Sequence, residues 1–337
     1  MVSRLSQGSF FSNHEQRNLF ENEIDILPDE LIIYIFKFLP LETILQCEDV
    51  CQRWRKLSRD STLWRHIHIV YSGKPGMSEV YERSLEIVKT HSECIHLLKL
   101  QYVYNYPIIK SIIEKCHHLI SLELVMCRIE KQFEIDVLQW PLLKKLNLKN
   151  SLLLLKNKEL NIEYEQFKHL NYLALSDFGL SSINCHSLLH CNYLSHILIE
   201  KIRDLSLDYM KALILSKQDI LITFHVYGGS AINDECLHLL SQCKSLKDLA
   251  IIRCENLTDE GLLFLKYLKN IEHLQIWNNS FFSEINLLRT LSCQTLVTLQ
   301  SLSLSRIENI SPVIVDVISE YYKNLKFLAL YQCPKII

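Results

Sequence analysis

One spacing of apolar residues recurs along most of the chain. From Ile95 onwards, a motif with apolar residues at its first, fourth and sixth positions returns at intervals of 24 to 28 residues. Single matches are expected by chance in so apolar a chain, but a rhythm kept from Leu98 to Leu328 indicates a structural repeat. The middle apolar residues of the successive motifs are Leu98, Leu122, Leu146, Leu173, Ile197, Phe224, Leu249, Leu274, Leu302 and Leu328.

Each repeat is predicted to run as strand, turn, helix and return. The best-formed pair of repeats shows this most clearly, because residues 232–237 (INDECL) lie 25 residues before residues 257–262 (LTDEGL). Asn233 and Thr258 suit helix N-caps, and the acidic residues that follow them suit the positive end of a helix. Leu240 and Leu265 then repeat the inner face of that helix.

The N-terminal part of the chain has a different, helical pattern. Leu27, Leu31, Ile35 and Leu39 recur every four residues between two prolines, Pro28 and Pro40, which suit the start and the end of a helix. A short second helix is predicted near residues 42–47 and a third over 49–58. This unit of about forty residues holds more large apolar side chains than three short helices can bury. Either it packs against the rest of the chain, or one face binds another protein.

The order and spacing of these N-terminal residues closely resemble the F-box motif. That resemblance implies binding to a Skp-family adaptor, and through it to a cullin and a RING subunit, without catalytic residues in the F-box. The positions that match the family pattern, and are therefore expected to bind the adaptor, are Leu27, Pro28, Leu31, Ile35, Leu39, Val50, Cys51, Trp54, Leu63 and Trp64.

The repeats resemble leucine-rich repeats of the cysteine-containing type, which is common downstream of F-boxes. That type has one cysteine three residues before the first leucine and another three residues after the third. Repeats three to six lack the second cysteine, and residues 152–164 form an irregular insert. Both cysteine positions are matched by Cys116 with Cys127 and by Cys243 with Cys254, and one position each by Cys191 and Cys333.

These patterns predict an α/β fold, with a three-helix F-box followed by a leucine-rich-repeat solenoid, or horseshoe. The parallel strands are expected on its concave face and the helices outside. The predicted boundaries are a flexible segment over 1–22, the F-box over 23–70, a junction over 71–90 and about ten repeats over 91–337. Residues 66–71 alternate as a strand does and could instead begin the next layer. No polar capping unit follows the last repeat, so we expect that the sequence is incomplete, or that a partner or a second copy covers it.

The outward positions of the predicted strands change character along the solenoid. The first five repeats offer a mixed polar set, whereas later repeats offer large aromatic residues. Repeat nine offers only serines, which predicts a notch floored by hydroxyl groups between bulky neighbours. The alternatives are that a loop of this protein covers the cluster, or that the assumed register is wrong. The residues expected to bind a substrate are His225, Tyr227, Ile252, His273, Trp277, Ser303, Phe327 and Tyr331.

Composition and charge narrow the choice of partners and compartment. The chain has 8 basic and 10 acidic residues through Val70 and 28 of each beyond it, which argues against nucleic acid as the main partner. No apolar run approaches the length of a membrane span, and residues 1–20 contain no apolar core of a signal peptide. We therefore expect a cytoplasmic or nuclear protein. Its twelve cysteines should be reduced, and their spacing with histidine suggests no metal site.

Three functional hypotheses follow. The leading one is the substrate-recognition subunit of an SCF-type (Skp–cullin–F-box) ubiquitin ligase, in which the repeats bind a protein for ubiquitination and degradation. The second is a non-catalytic scaffold that uses the same two modules without degradation. An enzyme finds little support, because the seven glycines form no phosphate-binding loop and no G-x-S-x-G or H-E-x-x-H motif occurs. No cofactor is expected.

Overall fold

The computed structural model describes residues 23–70, 82, 86, 88–130, 140–154, 162–176, 185–201, 205–228, 230, 232–278, 282–293, 296–307 and 310–336. The predicted flexible segment over 1–22 and most of the junction, residues 71–81, lie outside this range. The chain divides into two compact units between Arg65 and His66. The division falls five residues before the predicted end of the F-box, because residues 66–70 form a strand of the sheet, as the alternative interpretation of this stretch proposed.

The N-terminal unit contains a 3₁₀ turn, Glu23–Ile26, and three α-helices: α1 Asp29–Phe36, α2 Leu41–Cys47 and α3 Gln52–Ser58. Pro28 and Pro40 each lie one residue before a helix, where a missing N–H costs nothing. The third helix begins three residues later than predicted, because extended Cys51 is its N-cap and the Cys51 sulfur accepts the Trp54 N–H.

The second unit is built on a sheet of eleven parallel strands. Two further strands, β4 Arg128–Glu130 and β6 Leu152–Leu154, form a separate parallel pair, and β6 begins the predicted insert. The strands of the large sheet, in their spatial order, are β1 His66–Val70, β2 Leu97–Gln101, β3 Ser121–Val125, β5 Lys145–Asn147, β7 Tyr172–Ser176, β8 His196–Glu200, β9 Thr223–Tyr227, β10 Asp248–Ile252, β11 His273–Trp277, β12 Ser301–Ser305 and β13 Phe327–Ala329.

The register of the sheet confirms the repeat. The middle apolar residues of all ten motifs are paired from strand to strand, beginning with Leu98 beside Leu122 and ending with Leu302 beside Leu328. The first nine are buried and form the core of the solenoid. Ile67 of β1 continues the row, so the sheet holds one strand more than the ten motifs predict.

The connections between strands are only partly α-helical. Residues 88–91 are helical. Further α-helices among the described residues of this unit are α4 Tyr106–Ile113, α5 Leu207–Ser216, α6 Asp234–Ser241, α7 Asp259–Leu262, α8 Glu284–Leu291 and α9 Val313–Tyr321. In the irregular middle, 3₁₀ turns at Tyr164–Gln166 and Cys185–His190 replace them. The two predicted N-caps are confirmed, because the Asn233 and Thr258 side chains accept backbone N–H groups of their own helices.

Acidic residues at the starts of α6, α7 and α8 join these three helices to the next repeat. The Asp234 carboxylate accepts the Thr258 N–H at 2.9 Å and the Thr258 hydroxyl at 2.6 Å. Asp259 accepts the N–H of Ser283 in the same way at 2.7 Å, and Glu284 accepts that of Ser311 at 2.7 Å. The acid at the start of one helix therefore satisfies a backbone donor that the next repeat would leave unpaired.

The repeat cysteines are structural. The six cysteines with assigned positions are buried, and the Cys127 and Cys333 thiols donate to the backbone oxygens of Leu100 and Leu304 in the preceding repeat, both at 3.3 Å. Burial raises the pKa of Cys116 to about 12 and that of Cys127 to about 11. All twelve cysteines lie among the described residues, and none of them forms a disulfide bond. In the described part of the chain, no helix is long and apolar enough to cross a bilayer, and no cluster of side chains is arranged to hold a metal ion.

Candidate protein-interaction surfaces

The first helix of the N-terminal unit exposes an apolar face. Leu31, Tyr34, Ile35 and Phe38 follow one another at helical spacing and are 48%, 58%, 38% and 71% exposed. The Tyr34 and Phe38 rings meet edge to face, with their centroids 5.1 Å apart. We call these four residues the α1 face. Because such a row of large apolar side chains is normally buried, it is a candidate site for contact with another protein.

The opposite side of α1 holds the helix in place. Ile32 and Phe36 are buried, and the Phe36 ring packs edge to face on that of Trp54 in α3, with 5.2 Å between centroids. Arg53, also in α3, donates to the Leu27 carbonyl at 2.6 Å and to the Asp29 carboxylate at 2.7 and 2.9 Å. These contacts fix the start of α1, and the sequence patterns did not single out Arg53.

The residues predicted to bind an adaptor do not all lie on the surface. Pro28, Leu31, Ile35, Val50 and Cys51 are exposed, and Leu27, Leu39 and Trp54 are half-buried. The prediction needs a correction at the last two positions, because the Leu63 and Trp64 side chains are buried.

The Trp64 indole N–H donates to the Ser58 carbonyl at 2.8 Å, which gives this residue a structural role. The sequence analysis missed Ile26, Tyr34 and Phe38 because it followed only the four-residue spacing of the leucines. The spacing from Leu31 to Tyr34 and Phe38, three and seven residues, would have identified the wider face.

The outward side chains of the large sheet form three columns, which together we call the open face. The columns contain the first, third and fifth residues of each strand, as the paired registers show. At the N-terminal end most of these residues are polar, with Leu97 and Val125 among the apolar exceptions. Lys145 Nζ lies 2.7 Å from the Glu123 carboxylate and 4.7 Å from the centroid of the Tyr172 ring. This end of the open face is therefore a linked set of charged and polar side chains.

The charge of Glu123 is stabilised by its neighbours. Burial raises the pKa of this carboxyl. Hydrogen bonds from Lys145 and Asn147, together with the charges of Lys145 and Lys99, outweigh burial and hold the pKa below its usual value of 4.5. The Asn147 amide donates to the same carboxylate at 3.1 Å.

At the C-terminal end the open face contains a cavity of about 580 Å³, which we call the notch. Its walls are aromatic, with Trp277, Phe327 and Tyr331 exposed by 38%, 58% and 64%. Its floor is formed by the serines of β12, and the Trp277 indole N–H donates to Ser303 Oγ at 2.7 Å. The lining residues are Tyr227, Ile252, Gln275, Trp277, Asn278, Ser301, Ser303, Ser305, Arg306, Phe327, Ala329 and Tyr331.

The notch brings together six of the eight residues predicted to bind a substrate. His225 and His273 are the exceptions and need a correction, because neither lines the notch. His225 is the third residue of β9 and His273 is the first residue of β11, so both lie nearer the start of their strands than the residues at the fifth position. His225 Nε2 is 2.9 Å from Asp248 Oδ1, without the alignment of a hydrogen bond. The sequence analysis missed Asn278 and Arg306, because they follow their strands and lie outside the repeat motif, and it did not select the polar Gln275.

The residue after each strand extends the ladder of backbone hydrogen bonds. In several repeats its N–H donates to a carbonyl at or just beyond the end of the next strand. Arg253 donates in this way to Trp277, the last residue of β11, and Arg306 to Tyr331, two residues beyond β13, both at 2.9 Å. These residues adopt left-handed backbone conformations, with φ of 53° at both arginines. The positions with positive φ are Tyr102, Met126, Asn150, Lys201, Gly228, Arg253, Asn278, Arg306 and Gln332, which we call the rim.

Comparisons with known proteins agree with the two units. The family model for F-box-like domains matches residues 24–70. F-box/LRR-repeat protein 5 of Danio rerio is 34% identical over 85 residues, which are 22% of this chain and 12% of the relative. F-box/LRR-repeat protein 12 of Homo sapiens is 38% identical over 50 residues, 14% of this chain and 15% of that protein. The matched segments thus span less than a sixth of either relative.

The solved structures show the same architecture over a longer stretch. One chain in the crystal structure of the yeast Rad7 and Elc1 complex superposes with a TM-score of 0.51, over 98% of this chain and 95% of that one. The sequence identity is 14%. At that identity the likeness concerns the fold alone. Together with the sheet register and the family match, it shows that this protein consists of an F-box-like domain followed by a leucine-rich-repeat solenoid.

Proposed function

We propose that this protein is the substrate-recognition subunit of an SCF-type ubiquitin ligase. In this proposal the F-box-like domain binds a Skp-family adaptor, which links it to a cullin and a RING subunit. The leucine-rich repeats bind a protein and present it for ubiquitination and proteasomal degradation. Such a role belongs in the cytoplasm or the nucleus.

The α1 face is the observation that carries this proposal. It exposes three large apolar side chains on one face of a helix and a fourth, Phe38, in the turn that follows, within a domain that matches the F-box-like family. An amphipathic helix with its apolar face outward is suited to a groove between helices of another protein. The contacts of Arg53 and Phe36 hold the helix from behind, so the face is preformed. A face that is already ordered before binding loses less conformational entropy when a partner binds.

The notch supports the second part of the proposal, in which the repeats bind a substrate protein. A concave site with aromatic walls and a few polar groups is suited to anchoring a side chain of a partner. The residues that line it include no histidine, carboxylate, lysine or cysteine. Its serine hydroxyls therefore have no general base among the lining residues that could activate them for covalent chemistry. This arrangement favours binding over catalysis.

Co-purification of a Skp-family adaptor with the full chain tests the proposal. The test variant is Leu31→Arg with Phe38→Arg, which places charge on the α1 face without altering buried residues. The matched control is Lys56→Glu, which changes the charge at an exposed residue of α3 by the same magnitude and the opposite sign. The adaptor should be retained by the natural chain and the control and lost from the test variant, with all three melting at similar temperatures. Retention by the test variant, or absence from the natural chain, would refute adaptor binding through this face.

A further inference from the structure

Three basic residues are spaced regularly along the rim. Lys201, Arg253 and Arg306 follow β8, β10 and β12, so one lies after every second strand. Gly228 and Asn278, at the rim positions between them, are uncharged. Neighbouring strands lie about 4.8 Å apart, which separates successive basic positions by about 9.6 Å.

Each of these basic residues forms a backbone hydrogen bond with an aromatic residue of the neighbouring repeat. The backbone N–H of Lys201 donates to the Tyr227 carbonyl at 2.7 Å. The backbone N–H groups of Arg253 and Arg306 donate to the carbonyls of Trp277 and Tyr331, both at 2.9 Å. The pairing repeats three times along the solenoid. Two of the three aromatic residues, Trp277 and Tyr331, form walls of the notch, and Tyr227 also lines it. The basic row and the aromatic walls are therefore parts of one surface.

The basic side chains can reach a ligand. All three residues are exposed, and within the described residues none forms an ion pair with a carboxylate. The Arg306 Nε–H donates to Gln332 Oε1 at 2.5 Å, which leaves the terminal nitrogens of the guanidinium group for a ligand. Lys201 Nζ lies 5.7 Å from the centroid of the Tyr227 ring.

The notch is lined by one charged residue, Arg306, and by no acid. Glu200, Glu255 and Glu308 are the nearest acids in sequence. Glu308 lies outside the described residues, and the Glu200 carboxylate already accepts the Ser176 hydroxyl at 3.0 Å. The field along this edge thus favours an anionic ligand with apolar groups.

We infer that the rim and the notch together bind an acidic, extended segment of a partner protein. This inference rests on the proposed substrate-binding role of the solenoid and names the class of segment. A chain in the polyproline II conformation repeats every three residues and rises about 9.3 Å in that distance. Carboxylates at every third position would therefore meet Lys201, Arg253 and Arg306 in turn, while a bulky apolar side chain enters the notch.

A nucleic acid is the less favoured anion. Aromatic and basic side chains together also bind single strands, but proteins that do so usually carry an excess of positive charge. This chain has a formal net charge of −2, and its repeats hold equal numbers of basic and acidic residues. The three cations are a local feature of the rim, which suits a short acidic segment better than a long polyanion.

Fluorescence polarisation with short synthetic peptides tests the inference on the full chain. The probe has aspartate at every third position and one central phenylalanine, and its counterparts carry asparagine or lysine in place of aspartate. The aspartate peptide should bind about tenfold more tightly than the asparagine peptide, with the lysine peptide weakest, and added salt should reduce the difference. Arg253→Ala with Arg306→Ala should abolish this preference, and Lys269→Ala, an exposed lysine away from the rim, should not.

Several outcomes would overturn the inference. They are equal affinity for the aspartate and asparagine peptides, no binding of any peptide, an unchanged preference in the double variant, or tighter binding of a single-stranded oligothymidine than of the aspartate peptide. Adaptor binding is measured on the same preparations. Loss of peptide preference with adaptor retained refutes this inference alone. Peptide preference without adaptor supports it and refutes the ligase role.

Discussion

The indole N–H of Trp277 donates to the hydroxyl of Ser303 on the neighbouring strand, with 2.7 Å between the two heavy atoms. Ser303 is 4% exposed, whereas Trp277 is 38% exposed, so a buried hydroxyl holds the edge of an exposed aromatic ring. The Trp277 ring is therefore fixed in position before a partner arrives. Such preorganisation limits the entropy lost on binding, which is characteristic of aromatic anchors at protein interfaces.

Removing the aromatic walls of the notch should impair binding but not folding. We expect Trp277→Ala with Tyr331→Ala to weaken partner binding about tenfold or more, since anchors of this type carry much of the binding free energy. Both side chains are exposed, so the melting temperature should change little. Affinity capture and thermal melting of the same variants provide the measurement. A loss of thermal stability that matches the loss of binding would contradict the assignment.

Gly261 should not tolerate a side chain. A Cβ at this position would overlap Asp234 Oδ1, and the carboxylate would have to give up its hydrogen bonds to Thr258. We expect Gly261→Ala to lower the free energy of unfolding by about 1 kcal/mol, even though alanine favours helices by a similar amount.

A double-mutant cycle with Asp234→Ala tests the physical cause. Without the carboxylate the alanine at 261 has more room, so Gly261→Ala should cost less in the Asp234→Ala background than in the natural chain. Chemical denaturation of the four proteins gives the coupling free energy. Strictly additive effects would show that the Asp234 side chain is not the obstacle.

The stability of the solenoid should depend on the charge of Glu123. The pKa of this carboxyl is lower in the folded protein than its usual value of 4.5, so its charged form stabilises the fold. That contribution is complete above the unfolded pKa and is lost as the pH falls through the lower, folded pKa. Glu123→Gln should therefore reduce the melting temperature at pH 7, and the difference from the natural chain should shrink as the solution becomes more acidic than pH 4.5. A difference that is independent of pH would contradict this account.

The cysteines should differ sharply in reactivity. Cys51 is exposed and Cys94 and Cys293 are partly exposed, whereas the other nine are buried. Burial also raises the pKa of Cys191 to about 11 and that of Cys243 to about 12, so their thiolates are scarce at neutral pH. A thiol-specific reagent on the native protein should modify at most three cysteines, as mass spectrometry would show. Modification of Cys116 or Cys243 without denaturant would contradict the structural role of the repeat cysteines.

The sequence predicted the repeat because burial of a leucine row imposes a strict period. Leu98, Leu146 and Leu274 could be placed on strands without any structure, and their pairing in the sheet confirms the register. The serine floor of the notch followed from the same register. The connections between strands in the middle of the solenoid were harder to predict, because the 3₁₀ turn over Cys185–His190 lacks the apolar period of an α-helix.

Other features depend on side-chain directions that a linear pattern does not contain. Arg53 reaches back across the unit to Leu27 and Asp29, and nothing in its sequence neighbourhood indicates that contact. Trp64 resembles a surface residue of the motif but is buried. Arg306 enters the notch only because its backbone adopts a left-handed conformation after the strand, which bulky residues seldom do.

The most direct test of the account is a ubiquitination reaction reconstituted with the adaptor, cullin and RING subunits and a protein captured by the repeats. It compares the natural chain, the Leu31→Arg and Phe38→Arg variant, and the Trp277→Ala and Tyr331→Ala variant. We predict that only the natural chain supports ubiquitination: the first variant should still bind the captured protein but lose the adaptor, and the second should do the reverse. A natural chain that binds both partners while the captured protein remains unmodified would contradict the ligase role and support a scaffold.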